Sequence, residues 1–209
     1  MAEKGKLVLV TGGASSGKSR FAEELAARLA QEVVYIATAR ITDEEMARRV
    51  GKHKARRPAS WRTVEEPWDL KRALQEWGQA SRTILVDCLG TYVTNLLVDK
   101  GMEEEEVSLT LQDFARLAWA SPADVIIVSN EVGWGVVPSY PLGRVFRDLL
   151  GAANQEIACL ADEVYLVVSG LPLEIKSLAQ AGLKNFSKEE ASLDGRLPCD
   201  TLLLGGKKK

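Results

Sequence analysis

The sequence predicts an α/β domain whose mainly parallel sheet is covered by helices on both faces. Three observations carry this. Short, β-branched apolar runs recur along the chain, helix-length segments separate them, and a Gly/Ser-rich loop joins the first run to the first helix. Continuous apolar strands of this kind are buried on both sides, as parallel strands joined by helical crossovers must be.

Taken in order, the strands are Leu7–Val10, Val33–Ile36, Thr83–Val86, Asp124–Val128 and Val164–Val168, with Arg62–Glu65 as a short extra strand. Between them, segments 18–31, 43–53, 67–78, 103–119 and 142–161 have helical length and patterning. Thr42-Asp43-Glu44-Glu45 has the form of a capping box opening the second helix. The acidic run Glu103–Glu106 begins a solvated helix at the end where the macrodipole favours negative charge. After Lys176 the pattern weakens into scattered Gly, Pro and charge, so residues 1–176 form the expected domain and 177–209 a tail of unassigned role.

At 209 residues the chain is long enough for one well-buried domain. Apolar residues at 46% and charged ones at 27% give the balance of a globular protein. A formal net charge of -2 supplies no general basic field, so no nucleic-acid partner is expected and anion binding must come from locally placed groups. The apolar stretch Leu7–Val10 behind a polar N-terminus is too short for a secretory signal or a membrane span, and a cytoplasmic location is expected. Cys88, Cys159 and Cys199 are odd in number and widely spaced, which suggests neither a disulfide framework nor a zinc site and fits reduced thiols.

Gly12-Gly13-Ala14-Ser15-Ser16-Gly17-Lys18-Ser19 fits GxxxxGK[ST], and it follows a strand and opens a helix as a phosphate-binding loop must. Its glycines let backbone N–H groups wrap phosphate oxygens at a helix N-terminus, Lys18 reaches the β and γ phosphates, and Ser19 is placed to ligate Mg²⁺. Asp87 ends the strand 83–86, the position of a carboxylate that orders the same Mg²⁺; capping a helix that starts near Leu89 is the other use it fits. Ser129-Asn130-Glu131-Val132 follows the strand 124–128 where a regulatory GTPase would carry Asn-Lys-x-Asp, and Gly12–Gly17 lacks the GxGxxG spacing of a dinucleotide fold.

His53 is the sole histidine, and six of the eleven residues from Arg48 to Pro58 are cationic. Were the second helix to persist that far, His53 would share a face with Met46 and Val50, as a packed histidine would. Gly51 and the basic run instead suggest a helix end or loop, whose charge suits a triphosphate. A neutral imidazole is a competent nucleophile near neutral pH and could attack the α-phosphorus of a nucleotide.

These residues closely resemble the bifunctional adenosylcobinamide kinase / adenosylcobinamide-phosphate guanylyltransferases of cobalamin biosynthesis. The resemblance covers Leu7 to Lys176 and rests on Thr11–Arg20, Tyr35–Ala39, Asp43–Met46, His53–Pro58, Trp61–Glu66, Thr94–Leu97, Ser129–Gly133, Phe146–Asp148, Asn154-Gln155 and Ala161–Val164. It implies a RecA-like P-loop NTPase fold assembled as a homotrimer. The implied activity phosphorylates adenosylcobinamide with ATP or GTP, then transfers GMP from GTP to adenosylcobinamide phosphate, releasing pyrophosphate. In this family a histidine at the position of His53 becomes guanylylated; some relatives have a second histidine just before it, where this chain has Lys52. Catalysis would then rest on His53 and Lys18, with nucleotide contacts at Gly12, Gly13, Ala14, Ser15, Ser16, Gly17, Lys18 and Ser19. Further contacts would fall on Ala37, Thr38, Ala39, Lys54, Ala55, Arg56, Arg57, Glu65 and Asp87, with Mg²⁺ on Ser19 and Asp87. Two other readings compete: a single-activity P-loop kinase in which His53 is structural, and a non-catalytic nucleotide-binding module.

Overall fold

The structure, a computed structural model, describes residues 4–30, 32–40, 44–79 and 82–179, with the side chains of residues 45–47, 49, 52 and 53 outside that description. Seven described strands form one sheet: β1 (Leu7–Thr11), β2 (Glu32–Ala37), β3 (Arg62–Glu65), β4 (Arg82–Asp87), β5 (Asp124–Val128), β6 (Glu163–Val168) and β7 (Leu171–Glu174). Their order is β3-β2-β4-β5-β1-β6-β7, parallel throughout except for the last pair. The helices are α1 (Lys18–Leu29), α2 (Glu44–Arg56), α3 (Leu70–Trp77), α4 (Leu89–Thr94), α5 (Glu104–Ala120) and α6 (Pro141–Leu160).

Alternation along the central strands divides the core into two layers. Leu7, Leu9, Ile84, Val86, Val125 and Ile127 face α3, α4, α5 and α6, while Val8, Val10, Leu85, Ile126 and Val128 face α1. Because successive side chains point to opposite faces, every residue of β1 is buried, which is why its sequence reads as an unbroken apolar run.

Local signals set the helix ends. Asp69 caps α3 by accepting from the Arg72 amide at 2.9 Å, and Glu106 reaches back to the Glu103 amide at 3.2 Å to open α5. Pro141 starts α6 at a position whose N–H is not needed. At the other end of α6, the Lys176 ammonium donates to the carbonyls of Ala158, Cys159 and Ala161, groups that a helix terminus leaves without intrahelical partners.

Several expectations are corrected. The second helix does not end at Gly51; it runs to Arg56, so His53 lies inside α2. The helix expected near Leu89 is α4, but its N-cap position is Cys88 rather than Asp87, and it passes into a π-helical turn, Asn95–Asp99, that was not expected. An antiparallel edge strand, β7, closes on β6 through Ser169-Gly170. Cys88 is free, as expected, and Cys199 lies outside the described residues. Thr42 and Asp43 of the expected capping box lie outside the described residues, as does nearly all of the tail. No described helix is long and apolar enough to cross a membrane.

Candidate active site

The parallel register brings the C-terminal ends of the strands to one level: Glu65 pairs with Ala37, Ala37 with Asp87, and Asp87 with Val128, which pairs with Val10. Loops leaving this edge build the site, the usual location in an open α/β sheet. After β1 the chain enters the phosphate loop with Gly12 at φ 154° and Gly17 at φ 95°, where a side chain is strained. A Cβ on Gly12 would also stand 2.4 Å from the Val167 carbonyl oxygen. The loop is braced by a bond from the Gly170 amide to the Ser16 carbonyl at 2.7 Å, and its Gly12 carbonyl accepts from the Glu131 amide at 3.1 Å.

Lys18 folds back over this loop, its ammonium donating to the Gly13 carbonyl at 3.0 Å. The Ser16 hydroxyl is buried in the cradle with no hydrogen-bond partner among the described residues, a cost that a phosphate oxygen would remove. Ser19 Oγ donates to Asp87 Oδ1 at 3.3 Å, bringing together two hard oxygen donors of the kind Mg²⁺ takes alongside phosphate oxygens. No larger group of His, Cys, Asp and Glu suited to a metal occurs among the described residues. The donor set therefore fits a Mg²⁺ carried in on the nucleotide.

Tyr35 is a site residue that sequence reasoning did not single out. Its hydroxyl donates to the second Asp87 oxygen, Oδ2, at 2.9 Å, so both carboxylate oxygens are held by neighbours. Burial, reinforced by the Asp87 carboxylate, holds the phenol well above its ordinary titration range and keeps it a donor. A tyrosine in an otherwise aliphatic strand was the available signal, because a buried hydroxyl needs a partner. The Arg57 guanidinium stacks 3.7 Å from the centre of the Tyr35 ring and reaches the Thr63 hydroxyl at 3.1 Å.

Together these elements enclose a cleft of about 230 Å³ lined by Lys18, Ser19, Tyr35, Ala37, Ala39, Val50, Lys54, Arg57, Thr63, Glu65, Asp87, Cys88, Thr91 and Asn130. The eight sequence-predicted residues Lys18, Ser19, Ala37, Ala39, Lys54, Arg57, Glu65 and Asp87 thus meet in one cavity. Nine others do not line it: Gly12, Gly13, Ala14, Ser15, Ser16 and Gly17 of the phosphate loop, and Thr38, Ala55 and Arg56. Arg56 turns to Glu23 on α1, 3.5 Å away, and Ala55 faces solvent. Thr38 is fully buried, its hydroxyl donating to the Cys88 carbonyl and accepting from the Cys88 amide, each at 2.8 Å. Asn95, on the π-helical turn, donates to the Thr38 and Pro67 carbonyls at 2.9 and 3.0 Å and so ties the loops after β2 and β3 together. The side chain of His53 lies outside the described residues; its place on α2 is three residues after Val50 and four before Arg57, both of which line the cleft.

A sequence model of one family, described as cobinamide kinase / cobinamide phosphate guanyltransferase, matches residues 8–175. The chain belongs to this family. Its relatives include the bifunctional adenosylcobalamin biosynthesis protein CobU of Escherichia coli, 42% identical over 181 residues, which span 81% of this chain and 99% of that protein. The CobU of Salmonella typhimurium is 44% identical over the same shares of both chains. CobP of Pseudomonas aeruginosa, also described as a bifunctional adenosylcobalamin biosynthesis protein, is 46% identical over 170 residues, 80% of this chain and 96% of that one. Membership in the cobinamide kinase / guanyltransferase family accounts for a cleft that joins a phosphate loop to a basic helix.

Proposed function

We propose that the protein phosphorylates the aminopropanol hydroxyl of adenosylcobinamide with ATP or GTP and then converts the product, with GTP, to adenosylcobinamide-GDP and pyrophosphate. The carrying observation is that Lys18 at the end of the phosphate loop, the Ser19–Asp87 pair, Lys54 of α2 and Arg57 just after it share one cleft. In the first reaction Lys18 and the loop amides hold the β and γ phosphates while the hydroxyl attacks the γ-phosphorus and loses its proton; the bond from the γ-phosphorus to the bridging oxygen breaks, and the nucleoside diphosphate leaves. In the second, a nitrogen of neutral His53 attacks the α-phosphorus of GTP, the α–β bridging bond breaks, and pyrophosphate leaves. The corrinoid phosphate then attacks the same phosphorus, and the histidine departs as the P–N bond breaks. Lys54 and Arg57 supply positive charge beside the triphosphate.

Ser19 and Asp87 are assigned to Mg²⁺, which when bound supplies charge neutralisation of the polyphosphate. The test is turnover: adenosylcobinamide phosphate should form with ATP alone, and adenosylcobinamide-GDP and pyrophosphate only once GTP is added. Asp87→Asn should raise the Mg²⁺ concentration needed for half-maximal turnover by about 10–100-fold. An unchanged Mg²⁺ titration would make Asp87 a structural anchor for Ser19 and Tyr35.

The protein is further proposed to act in the cytoplasm, without nucleic-acid partners, as a homotrimer. Two apolar surfaces support an oligomer. Leu171 is 74% exposed on the outer face of the β6–β7 hairpin, and Trp134 and Val136 are 78% and 97% exposed in the segment between β5 and α6. Light scattering at micromolar concentration should give three times the chain mass; a monomer would contradict the assignment.

A further inference from the structure

Guanylyl transfer through His53, as proposed above, needs the imidazole held within bonding reach of the α-phosphorus of GTP, and the role inferred for Glu23 rests on that reading. A displacement of about 1 Å at a reacting pair can cost about 100-fold in rate. His53 lies on α2, a helix that Gly51 weakens from within, just before the histidine. Contacts from outside α2 must therefore fix its C-terminal half.

Two arginines reach out from that end in different directions. Arg57, just after the helix, stacks on Tyr35 of β2 and reaches Thr63 of β3. Arg56 turns instead to α1, where its Nε stands 3.5 Å from Glu23 Oε2. This is not an ordinary surface pair. The Glu23 side chain is 10% exposed, against 45% for Arg56. Desolvation holds its carboxyl above the ordinary range, with the Asp87 carboxylate adding to the shift and Arg56 and Arg57 opposing it. Placing an acid in such surroundings costs stability, and pairing it does not usually return a net gain. What the pair confers is a fixed geometry.

That geometry is referred to the phosphate loop. Glu23 stands one turn beyond Ser19 on α1, so the two share a face of the helix. α1 opens directly at Lys18 and is fixed to the sheet, because Ala22 and Ala26 pack into the core layer formed by Val8, Val10, Leu85, Ile126 and Val128. One helix therefore carries Lys18 and Ser19 in its first turn, where the triphosphate is held, and in its second turn the acid that meets the helix bearing the nucleophile. Glu23 itself is not among the residues that line the cleft.

We propose that Glu23 is a positioning residue for guanylyl transfer: through Arg56 it anchors the end of α2 to α1 and so sets the place of His53 relative to the α-phosphorus. Phosphoryl transfer to the corrinoid hydroxyl, which uses Lys18 and needs no imidazole, does not depend on this link.

The test compares single-turnover formation of acid-labile label from [α-³²P]GTP with steady-state kinase turnover on ATP, with thermal melting as the folding control. The proteins are wild type, Glu23→Gln, Glu23→Asp, Arg56→Met and the double variant Glu23→Gln/Arg56→Met. Glu23→Gln is nearly isosteric and should slow labelling at saturating GTP by about tenfold or more, while the GTP concentration for half-saturation and the kinase turnover stay close to wild type. Glu23→Asp keeps the charge on a shorter stem and should recover part of the lost rate. Arg56→Met should slow labelling in the same way, and the double variant should be no slower than either single one, as for two groups that act through one contact. Losses that multiply in the double variant would overturn the proposal, as would an Arg56→Met loss that lies in GTP affinity rather than in rate. Kinase turnover falling in step with labelling, or wild-type labelling in Glu23→Gln, would overturn it as well. A wild type that takes no label would refute the histidine carrier and this role with it, whereas a labelled wild type with unaffected variants would refute the positioning role alone.

Discussion

Lys18→Ala is expected to lower both phosphoryl transfer and guanylyl transfer by about 10²–10³-fold, the usual cost of removing one preorganised group aimed at developing charge. Both reactions break a phosphoanhydride bond, and in both the negative charge accumulates on phosphates held by the same loop. Lys18 is 8% exposed and its ammonium lies 3.0 Å from the Gly13 carbonyl, so the cation is already in place before the charge develops. The variant also loses the bond to the Gly13 carbonyl. The loop conformation is set by Gly12, Gly17 and the bond from the Gly170 amide to Ser16, none of which involves the lysine side chain. Steady-state assays with ATP for the first reaction and GTP for the second, with circular dichroism as the folding control, check this. Undiminished turnover in the first reaction would remove the phosphate loop from the mechanism.

The central strands were legible because parallel strands buried on both faces must be apolar through their middle, as Leu7–Val10, Ile84–Val86 and Val125–Val128 are. The phosphate loop was legible because phosphate chemistry fixes both the residue types and the spacing between a strand and a helix. β7 was not, since Leu171–Glu174 is four residues long, contains Pro172 and sits at an edge where burial leaves no continuous pattern. Its one signal was Ser169-Gly170, whose φ values of 51° and 82° are those of a tight hairpin turn.

The end of α2 was misplaced because Gly51 lowers helix propensity by about 1 kcal/mol relative to alanine. What extends the helix is tertiary: Arg56 meets Glu23 of α1, whose buried carboxyl is held above its ordinary range chiefly by desolvation, with Arg56 and Arg57 opposing that shift. No local pattern encodes such a contact. For the same reason Tyr35 on β2, Thr63 on β3, Thr91 on α4 and Asn130 just after β5 entered the site only through the fold. Thr38 shows the converse, a residue carried over with its motif whose hydroxyl is committed to a buried contact with the Cys88 backbone.

The family assignment makes the route of GMP the central question, and His53 is the proposed carrier. Label from [α-³²P]GTP should remain with the denatured wild-type protein, whereas γ-label should not, because attack at the α-phosphorus releases the outer two phosphates together. A phosphoramidate should be acid-labile and base-stable. His53→Ala should abolish that label and the transfer of GMP together while the ATP-dependent kinase reaction persists, since γ-phosphoryl transfer to a hydroxyl uses Lys18 and needs no imidazole nucleophile. The most direct measurement is therefore the stoichiometry of acid-labile α-label on wild type and His53→Ala side by side. The account predicts covalent label on the wild type and none on the variant; equal labelling of both would place the nucleophile elsewhere and contradict the mechanism.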